Sequence, residues 1–370
     1  MMKEKLKCTL LLSALMIFAS LQAFAAAGAV YTLTNSTSGN AVLVFNRMPN
    51  GQLTAGATIS AGGNGTGSGL GNQGALAMDA ANRFLFAVNA GSSTIASFAI
   101  GDNGLTLRDV VPSGGLQPIS LTVSGNVLYV LNNGAAVGGS DTIAGFSVTA
   151  NGHLKPIVSN LPLSAASVGP AQISFNTNGN LLVVTEKATN NIDIFTVDGH
   201  GVAVGPVVNP SAGQTPFGFA FGKRNQLLVS DAFGGGANAG AMSSYIVSDA
   251  GAVRAISATV PDNQTAPCWV AVTNDGRFMY TTNTATANVS GYSVGFGGSL
   301  RLLNASGVTA STGTGSKPLD ATISNDSRYL YVLTPGTSNV QGFAIGWDGS
   351  LTALTPVGGI PASASGLIAR

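Results

Sequence analysis

The feature that most restricts what this chain can fold into is a repeat. An alternating apolar phrase occurs seven times, at residues 29–34, 84–89, 127–132, 181–186, 226–231, 278–283 and 329–334, with starts 43 to 55 residues apart. Period-2 alternation over five or six residues marks a β-strand. After a short polar loop each copy is followed by a second apolar piece ending in an aromatic: Phe45, Phe98, Phe146, Phe195, Tyr245, Tyr292 and Phe343. A glycine turn comes next, as in Asn50-Gly51, Asn103-Gly104, Asn151-Gly152 and Asp348-Gly349. Asn-Gly and Asp-Gly supply the positive φ that tight hairpins require. A fourth piece precedes the alternating strand and opens on proline, best seen at Pro118, Pro267 and Pro318.

Each unit is therefore four antiparallel strands, named A to D from the inside outwards. Strand A follows the proline, B is the alternating phrase, C carries the aromatic and D follows the glycine turn. Radial repetition of four-stranded units leaves few free edges, and periods of this length belong to such arrays. The expected fold is all-β, a seven-bladed β-propeller with four-stranded antiparallel blades. The first copy, at Ala29, has no strand A before it. The chain ends with Ser365 to Ala369, the right length for an A strand with no B after it. The C-terminal inner strand is therefore expected to pair with the N-terminal strands and close the ring.

The first residues read differently. Lys3, Lys5 and Lys7 precede an apolar run from Thr9 to Leu21, and Ala23-Phe24-Ala25 offers a small-x-small cleavage site. That is the plan of a secretory signal peptide, and the run is shorter than the roughly 20 residues a membrane span needs. Cys8 precedes the run, where it cannot become a lipidated N-terminus. Residues 1–25 are read as a signal peptide and 26–370 as a single propeller domain, periplasmic or secreted, without membrane insertion and monomeric. Only 8% of the chain is charged. Removing Lys3, Lys5, Lys7 and Glu4 from 16 basic and 15 acidic residues leaves 13 against 14. Such a balance projects no field that would draw in nucleic acid. Cys268 remains as the one cysteine, so no internal disulfide forms.

In this strand order the B–C loops share one face with the loops from D to the next A. The last residues of strand B, Thr34, Asn89, Asn132, Glu186, Asp231, Asn283 and Thr334, are expected to ring that mouth of the central channel. Two neighbouring carboxylates, Glu186 and Asp231, could divide acid and base roles or hold a hard cation such as Ca²⁺. The alternative is that all seven residues cap turns through side-chain hydrogen bonds, with no cofactor or metal. Lys187, Gln214, Gln264 and Lys317 come to the same face, and with Asn89, Asn132 and Asn283 they suit a small neutral hydroxylated ligand. His153 and His200 lie in glycine turns at the far face, so no Ser-His-Asp set forms. Cys268 reads as a small buried hydrophobe. The glycine-rich stretches 62–71 and 234–236 join no strand to a helix, so they are rim loops rather than phosphate loops.

Residues 274–283 and 325–334, with Asn274-Asp-Gly-Arg and Asn325-Asp-Ser-Arg leading into Tyr-rich strands, resemble the "PDGRxxYVxN" units of the seven-bladed lactonase-like propellers. That group includes the propeller-type 6-phosphogluconolactonases, the carboxymuconate cyclases and the YVTN-repeat surface proteins. The resemblance covers nearly all of the chain after residue 25 and implies the same fold. The family's enzymes carry Pro-His at the position of Pro170-Ala171, Arg-His at that of Pro216-Phe217, and Arg where Thr284 follows Asn283. Only Glu186 and Asp231 fall where the family has acidic groups. Three functions follow: a non-catalytic exported propeller binding a ligand or an envelope or protein partner at the B–C face, a lactone hydrolase using Glu186 and Asp231, or a structural module of the cell envelope.

Overall fold

The computed structural model describes residues 26–370; the signal-peptide reading of residues 1–25 lies outside the described residues. Seven four-stranded antiparallel blades form a ring. Blade 1 has B, C and D at Gly28–Leu33, Ala41–Arg47 and Leu53–Ser60, and Ser365–Ala369 supplies its inner strand A. Blade 2 runs Leu76–Met78, Phe84–Asn89, Thr94–Gly101 and Gly104–Pro112. Blade 3 runs Pro118–Ser124, Val127–Asn133, Asp141–Val148 and Leu154–Pro162. Blade 4 has Pro170–Phe175, Leu181–Glu186, Asn191–Val197 and Ala203–Pro210. Blade 5 has Pro216–Phe221, Leu227–Asp231, Ala241–Val247 and Val253–Pro261.

Blades 6 and 7 depart slightly from the pattern. Their A, B and C strands are Pro267–Val272, Phe278–Asn283 and Asn288–Val294, and Ala321–Ile323, Tyr329–Thr334 and Asn339–Ile345. Each outer strand is split, into Leu300–Leu302 and Ala310–Ser311 in blade 6 and into Leu351–Ala353 and Val357–Gly358 in blade 7. Among the described residues the only helical segments are three short 3₁₀ turns, each following a strand B. None is long and apolar enough to cross a membrane.

The repeat phrases have physical causes in this ring. Strand B is buried on both faces because each blade packs between two others, so all six residues of Phe84–Asn89 and of Leu181–Glu186 are inaccessible. Strand D faces solvent, and most of Leu53–Ser60 is exposed. The aromatic residues join the blades. Tyr129 Oη in blade 3 donates to Gly201 O in the C–D turn of blade 4 (2.8 Å), Tyr280 Oη to Gly349 O of blade 7 (2.9 Å), and Tyr331 Oη to Gly51 O of blade 1 (2.8 Å). The residue opening the same strand B packs on the glycine: a Cβ on Gly51 would strike Tyr329, and one on Gly349 would strike Phe278. A buried hydroxyl must find a partner, and here it finds the next blade. The Tyr331 bond crosses the closure of the ring.

Strand A of blade 1 makes the closure that the sequence implies. Val30, Tyr31 and Thr32 pair with Ala369, Ile368 and Leu367, and Thr32 Oγ1 donates to Gly366 O at 2.6 Å. The inner strands of all seven blades pack in sequence around the axis, with Ser365–Ala369 between those of blades 7 and 2. In blades 3 to 6 a β-bulge follows the proline that opens strand A. A bulge re-aims the residues beside it. Here it brings Ala171, Phe217, Cys268 and Trp269 into one buried cluster at the upper end of the channel.

Candidate functional site

Of the seven residues ending strand B, only Thr34 keeps partial exposure; the other six do not line an open mouth. Asn89, Asn132, Glu186, Asp231 and Asn283 have no exposed surface, and Thr334 has almost none. The loop arriving from the preceding blade covers them. Glycines in those loops lie directly on the side chains: a Cβ on Gly63 would meet Asn89, on Gly115 Asn132, and on Gly213 the Asp231 carboxyl. Glycine is required there for close approach rather than for its φ.

The hydrogen bonds follow the same plan. Asn89 Nδ2 donates to Ala61 O (3.0 Å), while its Oδ1 accepts from Asn40 of blade 1 (3.0 Å). Asn283 Nδ2 donates to Asn288 Oδ1 and Ser290 Oγ, both at 2.7 Å. Gln264 joins this network, accepting from Asn288 Nδ2 at 2.7 Å and donating to Ser306 O at 2.9 Å. The Asn132 side chain has no hydrogen-bond partner among the described residues, beside the equally unpartnered Thr142 hydroxyl. Gln214 and Lys317 lie on the exposed rim.

Glu186 and Asp231 are not brought together by any hydrogen bond. Glu186 belongs to a lock between blades 3 and 4. It accepts from Ser164 N (3.1 Å), from Ser164 Oγ (2.5 Å) and from Thr189 Oγ1. Its carboxyl partner is Asp193, on strand C of the same blade, which also accepts from Ser164 N at 2.9 Å. Burial, and then the Glu186 carboxyl beside it, push Asp193 well above the usual carboxylate range. Asp231 accepts from Ser243 Oγ at 2.5 Å, and its other oxygen is buried without a partner. Burial raises its pKa to about 7, against the pull of Ser243. Among the described residues no three His, Cys, Asp or Glu side chains gather in a metal-sized group.

The mouth itself is closed by a strap that the sequence reading treated as part of a rim loop and its continuation. Residues 69–74, on the connection from blade 1 to blade 2, pass across the axis. Gln73 Nε2 donates to Val270 O of blade 6 (2.7 Å), and its Oε1 accepts from Val270 N (2.9 Å). Gln73 N donates to Ala171 O of blade 4 (3.1 Å), and Gln73 O accepts from Ser120 Oγ of blade 3 (2.6 Å). Asn72 O accepts from Trp269 Nε1 (2.6 Å), and Asn72 Nδ2 donates to Ile119 O. Gly71 O accepts from Lys187 Nζ at 2.6 Å. One short segment thus holds the inner strands of blades 3, 4 and 6 together. Below it an axial cavity of about 260 Å³ remains, lined by Met78, Val123, Gln172, Asp320 and Thr322 among others. The sequence signal for the strap is Asn72-Gln73, two amides in a glycine run that leads into Leu76–Met78 without a proline.

The remaining expectations fall into place on this frame. Cys268 is buried, with its thiol pushed up to about 12 by that burial. His153 and His200 are exposed at C–D turns. Residues 23–135 and 117–221 match the family described as lactonase, 7-bladed β-propeller. The chain belongs to that family. No curated protein matches the chain. Among solved structures, the periplasmic gluconolactonase of Pseudomonas aeruginosa is similar in fold, at 18% identity and a TM-score of 0.70 over 91% of this chain and 98% of the other. A candidate 6-phosphogluconolactonase of Bacteroides uniformis aligns at 16% identity and a TM-score of 0.71, over 91% and 98%. A protein from Lactobacillus plantarum aligns at 16% identity and 0.71, over 93% and 99%. In this lactonase-family chain, Ala171 and Phe217, the residues after the opening prolines of blades 4 and 5, are apolar and belong to the buried cluster under the strap. They offer no acid, base or cation to a ligand.

Proposed function

We propose that this lactonase-family propeller is exported and non-catalytic, and that it holds a small neutral ligand or an envelope protein partner on the face where the B–C and D–A loops meet. The strap carries this reading. With residues 69–74 bonded across the axis, the channel mouth has no open cup in which a lactone ring could meet a catalytic pair. The burial of Glu186, bonded to Ser164, and of Asp231, bonded to Ser243, supports it too. What stays accessible on this face is a rim of amides and hydroxyls, including Gln214 and Thr215, and a small niche beside Trp269 and Leu319. Export rests on the basic, apolar and small-residue order of residues 1–25. Family membership favours a second reading, lactone hydrolysis with Glu186 and Asp231 as acid and base.

One assay separates them. The protein lacking residues 1–25 is offered a panel of neutral sugar lactones and one sugar-phosphate lactone, with and without Ca²⁺, beside Glu186→Gln. The expected result is no turnover above the spontaneous rate, together with a rise in melting temperature for any lactone that binds. Turnover that disappears in Glu186→Gln, while its circular dichroism stays native, would establish the hydrolase instead.

A further inference from the structure

Six of the seven C–D turns are built alike. Each closes a five-residue loop, as where Thr149 N donates to His153 O (2.9 Å), and each sets its glycine on the preceding blade. A Cβ on Gly152 would strike Phe84, on Gly201 Val127, and on Gly298 Gln226. Blade 2 departs from this plan. Its turn is a two-residue hairpin, Asp102-Asn103, between the paired Gly101 and Gly104. A Cβ on Gly104 would meet nothing within 4 Å. The residue opening strand B of blade 1 is Ala29, where Phe84, Phe278 and Tyr329 stand in other blades. A short turn facing a small residue leaves the joint between blades 1 and 2 open.

A cleft of about 1000 Å³ lies in that joint, on the face opposite the strap. Its size is at the upper end of the range usual for small-molecule sites. Tyr31, Val44 and Ile59 give it an apolar wall, and Asn46 and Asn103 bring amides to it. Tyr31 stands where Tyr129, Tyr280 and Tyr331 each donate to a turn glycine of the next blade. Here its hydroxyl lies beside the Arg370 guanidinium, whose charge works against the rise that burial gives the Tyr31 pKa. Arg370 also lines the cleft, and its Nε is buried without a hydrogen-bond partner. Among the described residues no carboxylate pairs with this guanidinium. The nearby acceptors are otherwise placed. Arg47 holds Asp326 at 3.5 Å and the Arg370 carbonyl at 3.3 Å, and Asp102 is exposed at the tip of the hairpin.

We propose that this cleft binds a small aromatic carboxylate. A guanidinium meets a carboxylate through two parallel hydrogen bonds, and Nε with one Nη forms such an edge. A buried donor without a partner costs free energy that an arriving acceptor returns. The carboxylate meets Arg370 and the Tyr31 hydroxyl, the ring rests on Tyr31, Val44 and Ile59, and the amides of Asn46 and Asn103 serve a polar group on the ring. The site is separate from the strap face and does not depend on what binds there.

The test uses the protein lacking residues 1–25, which keeps every strand of the ring. It is titrated by calorimetry with 4-hydroxybenzoate, beside 4-hydroxybenzamide, which has the same shape without the charge. Saturable binding of one 4-hydroxybenzoate per chain is expected, with the amide at least about tenfold weaker, as for a lost hydrogen bond to a charged group. Arg370→Gln is expected to weaken 4-hydroxybenzoate by a similar factor. Ala29→Phe places in this joint the ring that Phe84 and Phe278 supply in others, and is expected to abolish binding without lowering the melting temperature. No saturable binding by the unsubstituted protein, an amide that binds as tightly as the acid, or an affinity unchanged in Arg370→Gln overturns the proposal. So does binding that persists in a folded Ala29→Phe protein, since the ligand would then lie elsewhere.

Discussion

At the residue scale, the buried carboxyls define the molecule's response to pH. Asp193, Asp231, Asp262 and Asp320 are all buried, and among the described residues no Lys or Arg pairs with any of them. Burial raises all four, Asp231 and Asp320 to about 7. Asp320 accepts from Ala321 N (2.9 Å), Leu367 N (3.2 Å) and Gly74 N (3.5 Å), so one carboxyl joins blade 7, the closing strand and the strap. In the unfolded chain these groups return to ordinary values near 4. Between pH 4 and 7 the folded protein therefore binds more protons than the unfolded one, and stability falls as pH rises through that window. The melting temperature is expected to be higher at pH 5 than at pH 8. The slope is about 1 kcal/mol per pH unit for each group responding fully. Asp231→Asn and Asp320→Asn should each flatten it, and a profile that rises from pH 5 to 8 would count against this account. The identity of the residues ending strand B was legible in the sequence, because the repeat aligns them. Their direction was not: whether Glu186 meets the channel or Ser164 depends on the preceding blade's loop, and the alternation of its own strand carries no signal of that.

At the scale of elements, strand B and strand C were legible at every blade, since burial on both faces imposes an apolar pattern with a fixed aromatic position. The outer strands were less so. Strand D is exposed, and its pattern is weak, so the breaks after Leu302 and Ala353 have no clear mark in composition. The turn at Asn304–Gly307 interrupts the blade 6 strand, where Gly307 takes a φ of +81° and packs on the backbone of Asp262. The closing strand was legible from a count of strands alone. Ser365–Ala369 buries Leu367 and Ala369 and bonds on one side to blade 1. Its loss would expose the inner edge of blade 1 and the cluster around Val30, Tyr331 and Leu333. Deleting residues 361–370 is expected to lower the melting temperature by roughly 10 °C or more. A truncated protein melting with the full-length one would show that the closing strand does not hold the ring.

At the scale of the whole molecule, seven near-equal blades are sutured at both faces. Tyrosine hydroxyls and glycine turns join neighbours on one face, and side-chain amides and carboxyls join them beneath the loops of the other. The strap works across the ring instead of around it. It was not legible as such, because it departs from the repeat without disturbing any blade, and glycine-rich sequence looks the same whether it is loose or clamped. Its state decides whether this propeller has an open mouth, so the most direct measurement is amide hydrogen exchange over residues 69–74, compared with the exposed loop at residues 234–236. The Gln73 amide is expected to exchange as slowly as those of the inner strands, since it donates to Ala171 O in the core of the ring. Exchange of Gln73 at the rate of the exposed loop would mean that the strap opens freely, and the mouth would then be available for a catalytic site after all.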